Sequence, residues 1–244
     1  MSRIFITGAA DGLGQLAAKS LAEQGHQVVI HARNEKRGKE ALSKIPGADT
    51  FLAADLSSIE ETKELAFKAN SLGTFDVIIH NAGVYRTSAK ELLAVNTLAP
   101  YILTCLMHKP DRLIYLSSDL HNSGHFRMES FLPETTVTYS DTKLHVVMLC
   151  KAVARKWTNV YANSLSPGWV PTKMGGPGAP GSLESGYQTQ VWLAISNDEK
   201  AKVSGQYFYH MRAIKSNPEA DDIALQERFL DSCRVISGVS FPEM

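Results

Sequence analysis

Apolar residues in this chain come in short blocks separated by longer amphipathic stretches. The blocks fall at residues 3–7, 27–32, 49–54, 75–80, 112–116, 160–165 and 206–209. Apolar runs of that length, bounded by Gly, Pro, Asn or Asp, are the pattern of strands covered on both faces, as in a parallel sheet. The stretches between them, 15–24, 36–44, 58–72, 88–107, 139–157 and 187–196, carry helical spacing, and 218–236 reads as an amphipathic C-terminal helix. Gly25 and Pro46-Gly47 stand where the first two helices should stop. Strand and helix alternate from end to end without a linker, repeat or low-complexity tract. The pattern therefore predicts an α/β fold: one domain over 1–244, built on a single doubly wound parallel sheet of about seven strands with helices on both faces. Two segments escape the periodicity. Residues 119–138, rich in His, Asn, Gly and Pro, read as a loop with one short turn. Residues 173–187 hold a run of Gly and Pro too flexible for a fixed element. Both are expected to border the substrate, the second either as a lid or as a plain surface loop.

Charge narrows the partners. Lys plus Arg and Asp plus Glu are each 25, so no basic field exists for nucleic acid or anionic lipid, and any anion site must be local. No apolar run approaches the roughly eighteen residues that span a bilayer. The first strand begins at Arg3, which leaves no room for a signal peptide, so a cytoplasmic location is expected. Cys105, Cys150 and Cys233 are far apart and show neither metal spacing nor a disulfide framework. The histidines show no ligand spacing either: His121 and His125 are four apart, but in a Gly/Asn-rich loop. No metal is expected.

The chemistry lies at the ends of the strands. After the first comes Gly8-Ala-Ala-Asp11-Gly12-Leu13-Gly14, then a helix. Strand, glycine turn and helix form the context of a dinucleotide site, where backbone approaches a pyrophosphate at a helix N-terminus. After the second strand, Ala32 stands where an acidic residue would bind the ribose of NAD, and Arg33 follows. A guanidinium suits a 2′-phosphate and favours NADP, with NAD the alternative. Read structurally, Arg33 is a surface charge at a helix start, and Asp11 argues against a phosphate nearby. Asp55 and Leu56 after the third strand suit an adenine amino group and ring, or Asp55 caps the next helix. Asn81-Ala82-Gly83 after the fourth leaves room for a cofactor. Asn96, inside an apolar helix, must bond either to backbone or to a water in a proton path. Ser117-Ser118 follow the fifth strand, and Pro167-Gly168-Trp-Val170-Pro-Thr172 the sixth. Tyr139 and Lys143 share a helix face one turn apart. A nearby ammonium favours the phenolate and would draw the phenol down from about 10, making it a usable acid/base. Ligands in doubly wound sheets sit beyond the C-terminal strand ends, and all of these strand-end groups converge there.

Taken together, Thr7-Gly8-x-x-x-Gly12-x-Gly14, Asp55-Leu56, Asn81-Ala82-Gly83, Asn96, Ser117-Ser118, Tyr139-x-x-x-Lys143 and Pro167-Gly168-x-Val170-x-Thr172 resemble the short-chain dehydrogenase/reductase family over nearly the whole chain. The segment 203–208 and the helix after it resemble the retinol-dehydrogenase-like members more loosely. The resemblance implies a Rossmann fold and an NAD(P)-dependent oxidoreductase interconverting a carbonyl and an alcohol. It implies Tyr139 as general acid/base, Lys143 as its partner and ribose ligand, and Ser118 on the substrate oxygen, with Ser117 if the register slips by one. It implies Asn96 near a water beside Lys143, and Val170 and Thr172 on the nicotinamide amide. Asn81, Ala82 and Gly83 would support the cofactor. It also implies a homodimer or homotetramer pairing through the helices that carry Asn96 and Tyr139. The segment 84–89 is short for the retinol-like branch, so retinoid specificity is not carried over. The competing class is a dinucleotide sensor without turnover, which would have no need of the whole catalytic set.

Overall fold

The first strand, β1 (Arg3–Ile6), shows why the apolar blocks are nearly continuous. Phe5 belongs to one hydrophobic core, while Ile4 and Ile6 belong to another on the opposite face of the sheet. Val28, Val29 and Ile30 divide in the same way, as do Val77, Ile78 and Ile79. A strand covered on both faces has no position where a polar side chain reaches water, so alternation disappears.

The computed structural model describes residues 1–132 and 136–242. In chain order, β1 leads to α1 (Gly12–Glu23), β2 (Gln27–Ala32), α2 (Glu35–Leu42), β3 (Ala48–Ala53), α3 (Ile59–Ser71) and β4 (Val77–His80). Then come α4 (Ala89–Leu92), a π-helical turn at Leu93–Leu98, α5 (Ala99–Leu106) and β5 (Arg112–Leu116). The second part holds α6 (Tyr139–Lys156), β6 (Tyr161–Ser166), α7 (Leu183–Ile195), β7 (Tyr207–Tyr209), β8 (Arg212–Ile214) and α8 (Ile223–Ser237). These strands form one eight-stranded sheet in the order β3-β2-β1-β4-β5-β6-β7-β8. Every pairing is parallel except β7 with β8. Helices α1, α2 and α7 cover the core containing Ile4 and Ile6, and α3, α5, α6 and α8 cover the other. The chain first builds outward from β1 to β3 and then returns to β4, so the crevice opens between β1 and β4. Among the described residues no helix is long and apolar enough to cross a membrane.

The doubly wound sheet is as expected; the details depart from the pattern in physically readable ways. An eighth strand was not foreseen because all of Arg212, Ala213 and Ile214 are exposed and form no apolar block. It is joined to β7 through His210 (φ 47) and Met211 (φ 61), a tight hairpin made without the Gly or Asn that usually announces one. Helix α1 begins inside the glycine turn rather than at Gln15. Helix α7 begins at Leu183, so the irregular stretch expected over 173–187 ends at Ser182, whose hydroxyl accepts from the Ser185 amide. Gly186, within the stretch expected to be irregular, is the point where α7 packs closely on Leu13 and Val170, each 3.0 Å from where a Cβ would lie. The 119–138 loop contains two short 3₁₀ turns, Asp119–Ser123 and Met128–Phe131. Its residues 133–135 lie outside the described residues.

Three buried histidines are held neutral by desolvation: His31 with its pKa pushed down to about 4, His80 to about 3 and His145 to about 4. Between the ordinary histidine value and these depressed ones, the unfolded chain binds protons that the folded chain refuses. Stability should therefore fall as pH drops from about 6.5 towards 4, by up to about 1.4 kcal/mol per pH unit for each histidine. Urea unfolding at neutral pH and in that acid window measures it; equal free energies at both would overturn the reading.

Candidate active site

The crevice is framed by backbone that tolerates no side chain. Gly8 takes φ +66, and a Cβ there would come 2.7 Å from the Cα of Ala82. A Cβ on Gly14 would overlap the Asn81 amide. Asn81 donates through Nδ2 to the carbonyls of Thr7 (2.9 Å) and Gly8 (3.1 Å), and the Ala82 amide donates to the Thr7 hydroxyl. Four of the residues singled out in the sequence thus lock the ends of β1 and β4 together.

The resulting cleft, about 340 Å³, runs along the C-terminal ends of the strands. It is lined by Gly8, Asp11, Gly12, Leu13, Arg33, Asp55, Leu56, Asn81, Ala82, Gly83, Tyr139, Lys143, Pro167 and Thr172, all sequence candidates. Gly14, Asn96, Ser118, Gly168 and Val170 do not line it. Gly14 and Val170 act from behind as packing surfaces, the latter buried against α7. The cleft is also lined by Ser117, the fallback serine, and takes residues the sequence did not flag, notably His31, Arg37, Glu91, Lys173 and Met174. Arg37 lies in the first turn of α2, whose N-cap Asn34 follows Arg33.

One end of the cleft is ionic. Arg33 Nε donates to Asp55 Oδ2 at 2.9 Å, and its other arm lies 3.8 Å from Glu91. The Asp55 partner raises the Arg33 pKa. Asp55 itself, against its own desolvation, is held below the usual carboxylate range by Ser57 and Arg33. It does not cap α3; Ser58 does, accepting from Glu61 N. Asp11 is bridged by Arg37 at 2.7 Å and by Lys173 at 3.0 Å. The repulsion expected between Asp11 and a phosphate is therefore met by two cations absent from the sequence reading. Lys173 makes its contact from the far loop, spanning the cleft mouth.

The other end is the Tyr139 cluster. Thr138 and Asp141 form a reciprocal capping box that starts α6 at Tyr139, which puts Lys143 one turn inward. Lys143 is buried, and its Nζ donates to the Leu116 carbonyl at 2.9 Å while lying 5.5 Å from the Tyr139 ring centroid. Burial lowers its pKa to about 8. Tyr139 departs from expectation: burial pushes its pKa up to about 12, a bond from Ser118 works against this, and Tyr85 adds to it. The ammonium is turned to a carbonyl, so desolvation of the phenol outweighs its pull. The two serines separate cleanly. Ser118 is near enough to Tyr139 to oppose its upward shift and accepts from the Leu120 amide at 3.3 Å, whereas Ser117 is buried and donates to the Lys143 carbonyl at 2.8 Å. Tyr85, half-exposed, packs edge-on against Tyr139 with ring centroids 4.8 Å apart and was not foreseen.

Asn96 sits in the π-helical turn, a bulge of the kind common at functional sites. Its side chain is committed to structure: Oδ1 accepts from Val84 N (2.8 Å), and Nδ2 donates to Val84 O (3.0 Å) and Thr142 Oγ1 (3.1 Å). Of the two readings open in the sequence, bonding to backbone is the one its amide fulfils. It also tightens the 81–84 segment over Lys143, since a Cβ on Gly83 would lie 3.3 Å from Nζ. The 119–132 loop is braced from the C-terminal side. Asn217 Nδ2 donates to the carbonyls of His121 and Gly124, and Glu219 accepts from the Phe126 amide.

A switch-point cleft with a glycine turn, an ionic rim and a partly buried tyrosine one turn from a buried lysine defines a dinucleotide-binding oxidoreductase. The family model described as short chain dehydrogenase matches residues 2–108. The uncharacterized oxidoreductase AN7799 of Emericella nidulans is 48% identical, with 99% of each chain covered. The short-chain dehydrogenase chyC of Penicillium rubens is 39% identical, covering 99% of this chain and 100% of that one. Human retinol dehydrogenase 13 is 27% identical over 99% of this chain and 86% of its own. Among solved structures, a protein from Mycobacterium paratuberculosis superposes with a TM-score of 0.84 at 20% identity, covering 99% of this chain and 95% of that one. This chain belongs to the short-chain dehydrogenase/reductase family and is an NAD(P)-dependent oxidoreductase.

Removing the Asn96 amide should cost stability. Asn96→Ala strands the Val84 N–H and C=O and should lower the unfolding free energy by about 1–3 kcal/mol. Urea titration of both proteins tests this, and an unchanged midpoint and slope would show that Asn96 is not holding the segment.

Proposed function

We propose that this chain is an NADP(H)-dependent oxidoreductase interconverting a carbonyl and a primary or secondary alcohol. The observation that carries the reading is Tyr139 one helical turn from buried Lys143, at one end of a cleft whose other end presents Arg33, Arg37 and Lys173. The residues fit the cofactor: side-chain-free positions at Gly8 and Gly12 line the cleft, and the α1 N-terminus opens into it. Glycine turn, Asn81-Ala82-Gly83, Leu56 and Pro167 to Thr172 would hold the dinucleotide, with Val170 acting through α7 and Thr172 directly. The nicotinamide supplies the hydride when bound.

The chain's own groups handle the oxygen and its proton. Ser118 would donate to the substrate oxygen and fix it beside the phenol. Tyr139, with its pKa near 12, is protonated at neutral pH and is a weak acid towards a ground-state carbonyl. It becomes an effective donor only as the oxygen gains alkoxide character, which suits the reductive direction. Lys143, charged below about pH 8, would stabilise the phenolate left behind. Asn96 would hold the segment over Lys143 from which a water could be relayed. Residues 119–138 and 173–182 would border the substrate in a single domain over 1–244. Pairing through the helices carrying Asn96 and Tyr139 would have to use what α8 leaves free, since Phe229 of α8 already packs on His145 of α6.

The NAD(H)-dependent reading has a specific observation in its favour: the Arg33 guanidinium is already engaged by Asp55 and Glu91. Arg33→Ala and Arg37→Ala should each weaken NADPH by about tenfold or more, the scale of a lost charge-assisted bond, while NADH changes little. Fluorescence titration decides, and equal losses for both cofactors would favour NAD. Tyr139→Phe should abolish turnover of a responsive carbonyl, with cofactor affinity kept within a few-fold. Retained turnover would remove Tyr139 from its role.

A further inference from the structure

We propose that His31 is a positioning residue that sets the shape of the pyrophosphate-binding turn, an inference that rests on the cofactor cleft described above. His31 lies near the end of β2, buried, and no motif marks it. Its ring Nδ1 accepts from the Gly8 amide at 3.1 Å. Its Nε2 faces the Ala54 carbonyl at 3.0 Å. An amide can only donate and a carbonyl can only accept, so both bonds together require the neutral ring with its proton on Nε2. The His31 backbone carbonyl also accepts from Ala9 N at 3.0 Å. One residue therefore takes two successive amides of the turn.

The Gly8 peptide is gripped from both sides. Its carbonyl accepts from Asn81 across the crevice, and its amide is taken by His31 from β2. Gly8 stands at φ +66, a conformation with little local preference for a glycine, so these two bonds select it. The same imidazole reaches the Ala54 carbonyl, immediately before Asp55 on the cleft wall. It thus spans the turn expected at the pyrophosphate and the corner expected at the adenine. A ring carrying acceptor and donor on a rigid frame sets the spacing of these two loops, which an aliphatic side chain of similar size cannot do.

The side-chain amides divide the two functions. Asn places its oxygen near the position of Nδ1, and Gln places its nitrogen near that of Nε2. His31→Leu should weaken NADPH and NADH alike by about tenfold, the scale of one unmet buried donor, with kcat at saturating cofactor little changed. His31→Asn should recover most of that affinity because it keeps the acceptor for Gly8. His31→Gln should recover less. Fluorescence titration of NADPH against each folded variant reads the affinities, and steady-state kinetics reads the split between KM and kcat. A purely structural role would lower the melting temperature of the variants without ordering their affinities in this way. Leu and Asn variants that bind as tightly as the wild type would overturn the proposal. Should the Leu variant fail to fold, the Asn–Gln difference and the wild-type ring decide. Nitrogen-15 spectra should show an unprotonated Nδ1 and a protonated Nε2, and the opposite tautomer would end the proposal. Failure of the wild type to bind either cofactor would instead refute the reading of the cleft.

Discussion

The crevice between β1 and β4 exists because Asn81 spans it. One primary amide ties the carbonyls of Thr7 and Gly8, and the backbone on either side then approaches so closely that Gly8 and Gly14 have no space for a Cβ. The consequence is geometric. Strand ends that would otherwise splay are held at a fixed separation, and α1 starts at Gly12 with its free amides facing the gap. A sheet that reverses its order of growth needs such a joint, because its two halves are hydrogen-bonded to each other through the β1–β4 ladder. The chemistry of the site, from the ionic end to the tyrosine, inherits its spacing from that joint.

Desolvation does the electrostatic work at the inner end. Lys143 is buried with a single carbonyl as its bonding partner from the strand ends, and Tyr139 is mostly shielded with Ser118 near it. Burial drives the two groups apart, the ammonium down to about 8 and the phenol up to about 12. In the apo arrangement the proton therefore rests on oxygen and the positive charge is weakly held. A bound ribose hydroxyl or a developing alkoxide would add polar partners that this interior lacks, and either would move both groups further than an exposed pair could be moved.

Much of this was legible in the sequence because strands buried on both faces cannot hide: their apolar blocks marked β2 and β5 to the residue. Glycines and Asn81 were legible for a related reason, since sterics admit few alternatives. What the sequence concealed were features made by tertiary pairing. Strand β8 has no apolar block because it borrows all its order from β7. The π-helical turn carries no composition of its own; Asn96 was recognised as needing a partner, but Val84 could not be named without the fold. The sign of the Tyr139 shift was misjudged because spacing reports the nearness of a charge and not the dryness of the site. Arg37 and Lys173 were missed because their meaning depends on Asp11, which one of them reaches from 162 residues away.

That last pair changes how the outer end of the cleft is understood. Taken singly, Asp11, Asp55 and Glu91 oppose an anion and Arg33, Arg37 and Lys173 attract one; as built, Arg33 meets Asp55 and Glu91 while Asp11 meets Arg37 and Lys173. Exposed ion pairs of this kind contribute little to stability, about 0–1 kcal/mol each. Their effect is on shape, since each arginine is held by a carboxylate at the wall of the cleft. The outer end of the cleft thus carries three cations matched by three carboxylates, in keeping with the neutral chain. The same pairing lets Lys173 tie the glycine-rich segment to the turn after β1.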